Sequence, residues 1–199
     1  MFYRICWLLS WLPLHFIFPT KVVGKKNVKR KGKMILCANH QSNNDVVVIA
    51  HKFYRRFNFM AKSELFDNKF KGAILKSYGA YPVKRGQTDI NAVKRTLSLL
   101  RDDKAICMFP EGTRVTNGEA SEMKTGAIMF SLKTKSPIVP AVFINKPKAF
   151  KRNILVIGKP IELYNMPQFK DAKTDKETLE QGVKVLMEAM NNLRIEYKK

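Results

Sequence analysis

Six short apolar stretches, rich in β-branched and aromatic residues, alternate with segments of helical period, and this alternation restricts the chain to few architectures. Met34–Ala38, Phe57–Ala61, Ala80–Val83, Ala105–Phe109, Ile138–Phe143 and Asn153–Ile157 read as buried strands. Asp45–Phe53, Glu64–Ser77, Asp89–Arg101 and Lys124–Lys133 read as helices between them, the third with Ile90, Val93, Leu97 and Leu100 on one face. Strand and helix in turn predict an α/β fold with a mostly parallel central sheet flanked by helices, and in such sheets chemistry collects at the strand C-terminal ends. The tail adds a stripe of Leu179, Val183, Leu186, Met190, Leu193 and Tyr197. Fewer than four heptads is short for a coiled coil, so docking on the domain's own core is expected.

The opening is different in kind. Ile5 to Thr20 is an uncharged run of 16 residues if His15 is neutral, short of the ~20 that a transmembrane helix needs. Pro13 and Pro19 interrupt it, which favours two short segments or a re-entrant piece. Trp7, Trp11 and His15 recur every four residues, as rings at a headgroup layer would. A signal peptide is the rival reading, but no small-residue cleavage site follows, and Lys21, Lys25, Lys26, Lys29, Arg30, Lys31 and Lys33 oppose translocation. Residues 1–20 are therefore expected to form a membrane-interfacial helical anchor and residues 21–199 one domain.

Charge supports that placement. The net charge is +21; residues 1–101 hold 20 basic and 4 acidic residues, residues 102–199 hold 17 and 12. An anionic partner follows, and concentration of the excess behind an apolar opening points to a lipid leaflet. A nucleic-acid binder would share the charge, yet no helix-turn-helix, zinc-finger or RNP-like pattern is present, so no nucleic-acid partner is expected. Cys6, Cys37 and Cys107 are odd in number and unrelated in spacing, which argues against a disulfide framework or a zinc site and for a reducing compartment.

Three strand exits concentrate reactive side chains. His40 directly follows the strand MILCAN and opens the string His40-Gln41-Ser42-Asn43-Asn44-Asp45. On a regular helix, residues five apart diverge by about 140°, so the Asp45 carboxylate meets the His40 ring only if the chain turns between them. Gln-Ser-Asn-Asn supplies such a turn, leaving the second ring nitrogen as a base; equally, His40 is a loop residue and Asp45 an acid favoured by the helix dipole. Phe109-Pro110-Glu111-Gly112-Thr113-Arg114 ends another strand and combines a planar cation with a permissive glycine, or is a plain turn. Gly79 to Gly86 ends a third with Lys84 and Arg85, or is an exposed basic loop.

In this order the strings resemble the glycerolipid acyltransferase family of the 1-acylglycerol-3-phosphate acyltransferase type. Its N-H-x-x-x-x-D block is met by Asn39, His40 and Asp45, its glycine-to-arginine block by Gly79–Gly86, its F-P-E-G-T-R block by Phe109–Arg114, and its proline-bearing strand by Val139-Pro140-Ala141. Val115 stands where a serine often follows, and Asn44 is more polar than usual; both departures bear on substrate preference. The resemblance implies acyl transfer from acyl-CoA or acyl carrier protein to the sn-2 hydroxyl of lysophosphatidic acid, giving phosphatidic acid, without metal or cofactor. It implies His40 as general base, Asp45 as its orienting partner, and Arg85 and Arg114 on the acceptor phosphate. Glu111, Gly112 and Thr113 would line the acceptor, and Lys62 or backbone N–H groups would stabilise the oxyanion. Glycerol-3-phosphate or another lysophospholipid is the alternative acceptor, and a lipid- or nucleic-acid-binding protein without catalysis the alternative class. The implied location is the cytoplasmic face of the cell membrane, as a peripheral or monotopic protein.

Overall fold

The computed structural model describes residues 2–84, 89–113, 123–170 and 172–197, with side chains from Leu8 onward. Among the described residues seven strands form one sheet: β1 (Thr20–Val23), β2 (Met34–Ala38), β3 (Phe57–Lys62), β4 (Ala80–Val83), β5 (Ala105–Met108), β6 (Ile138–Phe143) and β7 (Asn153–Ile157). Their order is β1-β7-β6-β2-β5-β3-β4, and every pairing is parallel except β6 with β7. Helices α1 (Phe2–Ile17) and α2 (Asn44–Lys52) lie on one face, and α4 (Ile90–Arg101), α5 (Gly126–Thr134) and α6 (Lys176–Tyr197) on the other. A sheet covered on both faces buries every residue of its central strands, and β2 and β6 are buried throughout. Alternate residues serve opposite layers: Met34, Leu36 and Ala38 face α1 and α2, while Ile35 and Cys37 join the cluster with α4, α5 and α6. Cys37 and Cys107 are buried free thiols.

The expected strands all form, and β1 is a seventh that the sequence reading had merged into the anchor and the basic run behind it. Four residues with exposed Lys21 give it no clear alternation; it exists because β7 offers a free edge, in the register Thr20↔Asn153 to Val23↔Val156. The opposite edge is also short, and Pro82 is tolerated there because an edge strand has N–H positions that no ladder uses.

Two helix expectations change. Glu64–Ser77 divides into a 3-10 turn, Ser63–Phe66, and α3 (Lys69–Ser77), because the Asn68 side chain accepts a hydrogen bond from the Lys71 N–H and starts a new helix. In α4 the buried face is Ala92, Thr96, Leu99 and Leu100, leaving Ile90 exposed. Thr96 can be buried because its hydroxyl donates to the Ala92 carbonyl and meets the Tyr81 hydroxyl at 2.8 Å.

The opening is one continuous helix rather than two pieces. Pro13 sits inside α1, where a missing N–H costs about 3 kcal/mol, but ties on both sides hold the axis together. The Tyr78 hydroxyl donates to Ser10 Oγ, His51 Nε2 donates to the Trp11 carbonyl at 3.0 Å, and Lys52 Nζ lies 3.4 Å from His15 Nδ1. Leu14, Ile17 and Phe18 pack into the core beneath, and Leu8, Leu9, Leu12 and Phe16 are exposed on the outer face. At 16 residues α1 is about 24 Å long, and no helix among the described residues is long and apolar enough to cross a membrane. The tail stripe docks as α6, burying Val183, Leu186 and Met190 against the second layer.

Candidate active site

The C-terminal ends of β2, β5 and β3 are level, since Leu36 and Phe59 both pair with Cys107. At the end of β2 the chain turns through Gln41 and Ser42 into α2, bringing His40 Nδ1 to 2.8 Å from Asp45 Oδ2. Asp45 is fully buried, and its carboxylate also accepts from the Gln41 N–H at 2.6 Å, the Ser42 N–H at 2.7 Å and the Ser42 hydroxyl at 3.1 Å. Those donors compensate the removal of the carboxylate from water. They also fix its role: a carboxylate only accepts, so the Nδ1 of His40 is the protonated nitrogen and Nε2 carries the lone pair. Asp45 is thus a first-turn acid favoured by the helix dipole and the partner of His40 at once.

One ring contact and two ties of the adjoining chain hold the imidazole in place. Its ring stacks on Phe109 with centroids 4.2 Å apart and planes at 22°. The His40 N–H donates to Glu111 Oε2 at 2.9 Å, which joins the ends of β2 and β5. Asn39 spans to β6, its amide donating to the Phe143 carbonyl and accepting from the Phe143 N–H at 2.7 Å. Sequence reading assigned Asn39 no role beyond the motif and missed the stacking by Phe109; adjacency to the motif residues was the available signal.

Glu111 is buried, and burial pushes its carboxyl upward against the hydrogen bond from His40 and the charges of Arg194 and His40. Gly112 has φ +70°, a left-handed conformation that suits glycine, and a Cβ there would lie 2.7 Å from the Lys124 side chain. Lys124 is a cation at this turn that the sequence did not single out. Thr113 is exposed beside it. Lys62 ends β3 at the same level as His40's strand exit, two strand spacings or roughly 10 Å across the sheet, and its ammonium pairs with Glu64 Oε1 at 2.8 Å. That contact pulls the Glu64 carboxyl down to about 2. His40, Asp45, Glu111 and Gly112 are therefore gathered directly, and Lys62 stands apart on the same rim. Arg85 and Arg114 lie outside the described residues. Among the described residues, no cluster of His, Cys, Asp or Glu is placed to hold a metal ion.

A buried carboxylate orienting a histidine whose Nε2 meets no hydrogen-bond partner among the described residues, beside a strand-exit glycine, can deprotonate a hydroxyl. The acyltransferase family model matches residues 19–144, which include this constellation. The chain belongs to the acyltransferase family. A 1-acyl-sn-glycerol-3-phosphate acyltransferase of Bacillus subtilis is 29% identical over 182 residues, covering 87% of this chain and 90% of that protein. One from Saccharomyces cerevisiae is 31% identical, covering 84% of this chain and 60% of its own length. The chain spans about half the length of others, such as 54% of the Borreliella burgdorferi enzyme. The crystal structure of the 1-acyl-sn-glycerophosphate acyltransferase from Thermotoga maritima shares this acyltransferase fold, with a TM-score of 0.68, 21% identity, and coverage of 96% of this chain and 78% of that one.

Proposed function

We propose that the protein transfers an acyl chain from a thioester, acyl-CoA or acyl carrier protein, to the sn-2 hydroxyl of lysophosphatidic acid, yielding phosphatidic acid. The observation that carries this reading is the donor-saturated Asp45, which leaves His40 Nε2 as a base in a family that moves acyl groups. The names of the relatives from Bacillus and yeast support the acceptor.

As the acceptor oxygen attacks the thioester carbonyl, Nε2 takes its proton; the tetrahedral intermediate then expels the thiolate, which recovers that proton from the imidazolium. No protein nucleophile is needed because the thioester is already activated. Glu111 holds the His40 backbone, and with Gly112 and Thr113 it borders the acceptor. Arg85 and Arg114 bind the acceptor phosphate, and Lys62 or turn N–H groups stabilise the oxyanion. The exposed outer stripe of α1 rests on the anionic cytoplasmic leaflet, in keeping with the basic residues behind it.

The deciding assay supplies purified protein with lysophosphatidate, glycerol-3-phosphate and lysophosphatidylcholine, each with both thioester donors. Phosphatidic acid formed from lysophosphatidate, at a rate about a hundredfold or more lower in a folded His40→Ala variant, is the expected result. Preference for another acceptor replaces the substrate, and full activity of His40→Ala removes the mechanism.

A further inference from the structure

The segment joining β6 to β7, residues 144–152, is built rigidly and yet offers an aromatic ring to solvent. Asn145 bridges its two ends, accepting from the Ile154 N–H at 3.0 Å and donating to the Arg152 carbonyl at 3.1 Å. Asn153 clamps Lys148 through both its N–H and its carbonyl, at 3.0 and 3.1 Å. Two further bonds tie the loop outward: the Asn44 amide donates to the Pro147 carbonyl at 3.0 Å, and the Phe150 N–H donates to the Ile17 carbonyl at 2.7 Å. Within this frame Phe150 is 76% exposed and has φ +56°, a left-handed conformation that costs a bulky residue energy. Neither burial nor backbone preference accounts for a phenylalanine here.

Position and charge supply the reason. The loop leaves β6 at the catalytic rim, its bond to Asn44 touches the turn holding His40 and Asp45, and its bond to Ile17 places it at the end of α1, next to exposed Phe16. Lys146, Lys148, Lys151 and Arg152 flank Phe150 in the same loop and are exposed, and no acidic residue occurs from Met123 to Ile161. An exposed apolar ring on a rigid loop that also carries four exposed cations fits the interface of a bilayer containing acidic lipids: the ring enters the acyl boundary while the cations stay among the phosphates.

We propose that residues 144–152 form a second membrane-docking element, inserting Phe150 into an anionic leaflet and setting the catalytic rim against it. Its value for turnover rests on the lipid-acceptor reading above, but the docking itself does not. Because glycine suits φ +56°, Phe150→Gly separates the two roles the residue could have: it keeps or raises thermal stability while removing the ring.

The test measures partition of the full chain onto phosphatidylcholine vesicles with and without phosphatidylglycerol. Phe150→Gly and the double variant Lys148→Gln/Lys151→Gln are compared with Ile90→Ser, which alters a comparably exposed apolar residue on the opposite face. Partition onto the acidic vesicles is expected to fall on the order of tenfold for Phe150→Gly and to fall for the lysine variant, while Ile90→Ser stays at the wild-type value. Turnover of vesicle-borne lysophosphatidate falls with it, and turnover of a dissolved short-chain acceptor does not. Partition of folded Phe150→Gly within about twofold of wild type, or an equal loss in Ile90→Ser, overturns the proposal. Absence of turnover in the wild type on both acceptors overturns the assigned reaction instead, leaving the partition result to decide the docking.

Discussion

The His40 and Asp45 pair shows what one residue's environment can set. Asp45 makes four contacts from a buried position, and each presents a hydrogen to it. Asp45→Asn replaces one acceptor oxygen by a donor, which favours the wrong tautomer of His40. We expect kcat to fall by about a thousandfold or more with thermal stability changed far less, and His40→Ala to lower kcat by about a hundredfold to ten-thousandfold. Steady-state kinetics on variants shown to be folded by circular dichroism checks both. Gly112→Ala is expected to lower stability by about 1 kcal/mol or more, since its Cβ meets both a left-handed backbone and the Lys124 stem; equilibrium urea unfolding measures it. The pair itself was legible because it is local, five residues apart with turn formers between. Glu111 and His40 are 71 residues apart, and Asn39 and Phe143 are 104 apart. No local pattern encodes such meetings.

At the scale of elements, the contact between α1 and α2 is held by a histidine that must stay neutral. His51 is buried, its Nε2 donates to the Trp11 carbonyl, and its Nδ1 has no hydrogen-bond partner among the described residues. Burial, with the charges of Lys52, His15 and Lys25 adding to it, pushes its pKa down to about 4. The unfolded chain binds this proton near pH 6.5 and the folded one only near 4, so stability declines as pH falls through that window, by up to about 1.4 kcal/mol per pH unit. His51→Gln keeps a donor for the Trp11 carbonyl and removes the titration, so its urea midpoint is expected to vary less between pH 6.5 and 4 than the wild type's. The outer side of the same helix makes a separate prediction. Replacing exposed Leu8, Leu9, Leu12 and Phe16 by Gln leaves the inner packing of Leu14 and Ile17 intact, and is expected to release the protein from vesicles without unfolding it; flotation assays with near-ultraviolet dichroism follow both. The sequence marks the opening as an apolar segment interrupted at Pro13, and α1 runs through that proline because Tyr78, His51 and Lys52, 37 to 68 positions away, tie its two sides to the domain.

For the whole molecule the +21 charge is the governing quantity. Exposed cations attract acidic lipid within about a Debye length, so vesicle binding and turnover of a vesicle-borne acceptor are expected to fall steeply as salt rises from about 0.05 to about 0.5 M. On uncharged vesicles the salt dependence should be slight, and equal slopes on the two surfaces would assign the cations another partner. The sheet is also a property of the whole. Period and apolar runs in the sequence were enough to settle an α/β class, six strands and the three strand exits where motifs end, since burial on both faces demands continuous apolar strands. They also offered a turn in which His40 and Asp45 could meet, beside the equal reading of a plain loop, and the charge led to the expectation of an anionic partner. Tertiary structure alone decided the strand order, the added edge strand β1, the unbroken α1, and the hold of Glu111 and Asn39 on the turn that carries His40 and Asp45. It also decided that Phe150 stands in solvent beside that turn. The division has one cause: hydrophobic period and turn chemistry act between near neighbours and are written consecutively, whereas edge pairing, buried hydrogen bonds and exposure depend on which distant segments arrive at the same place.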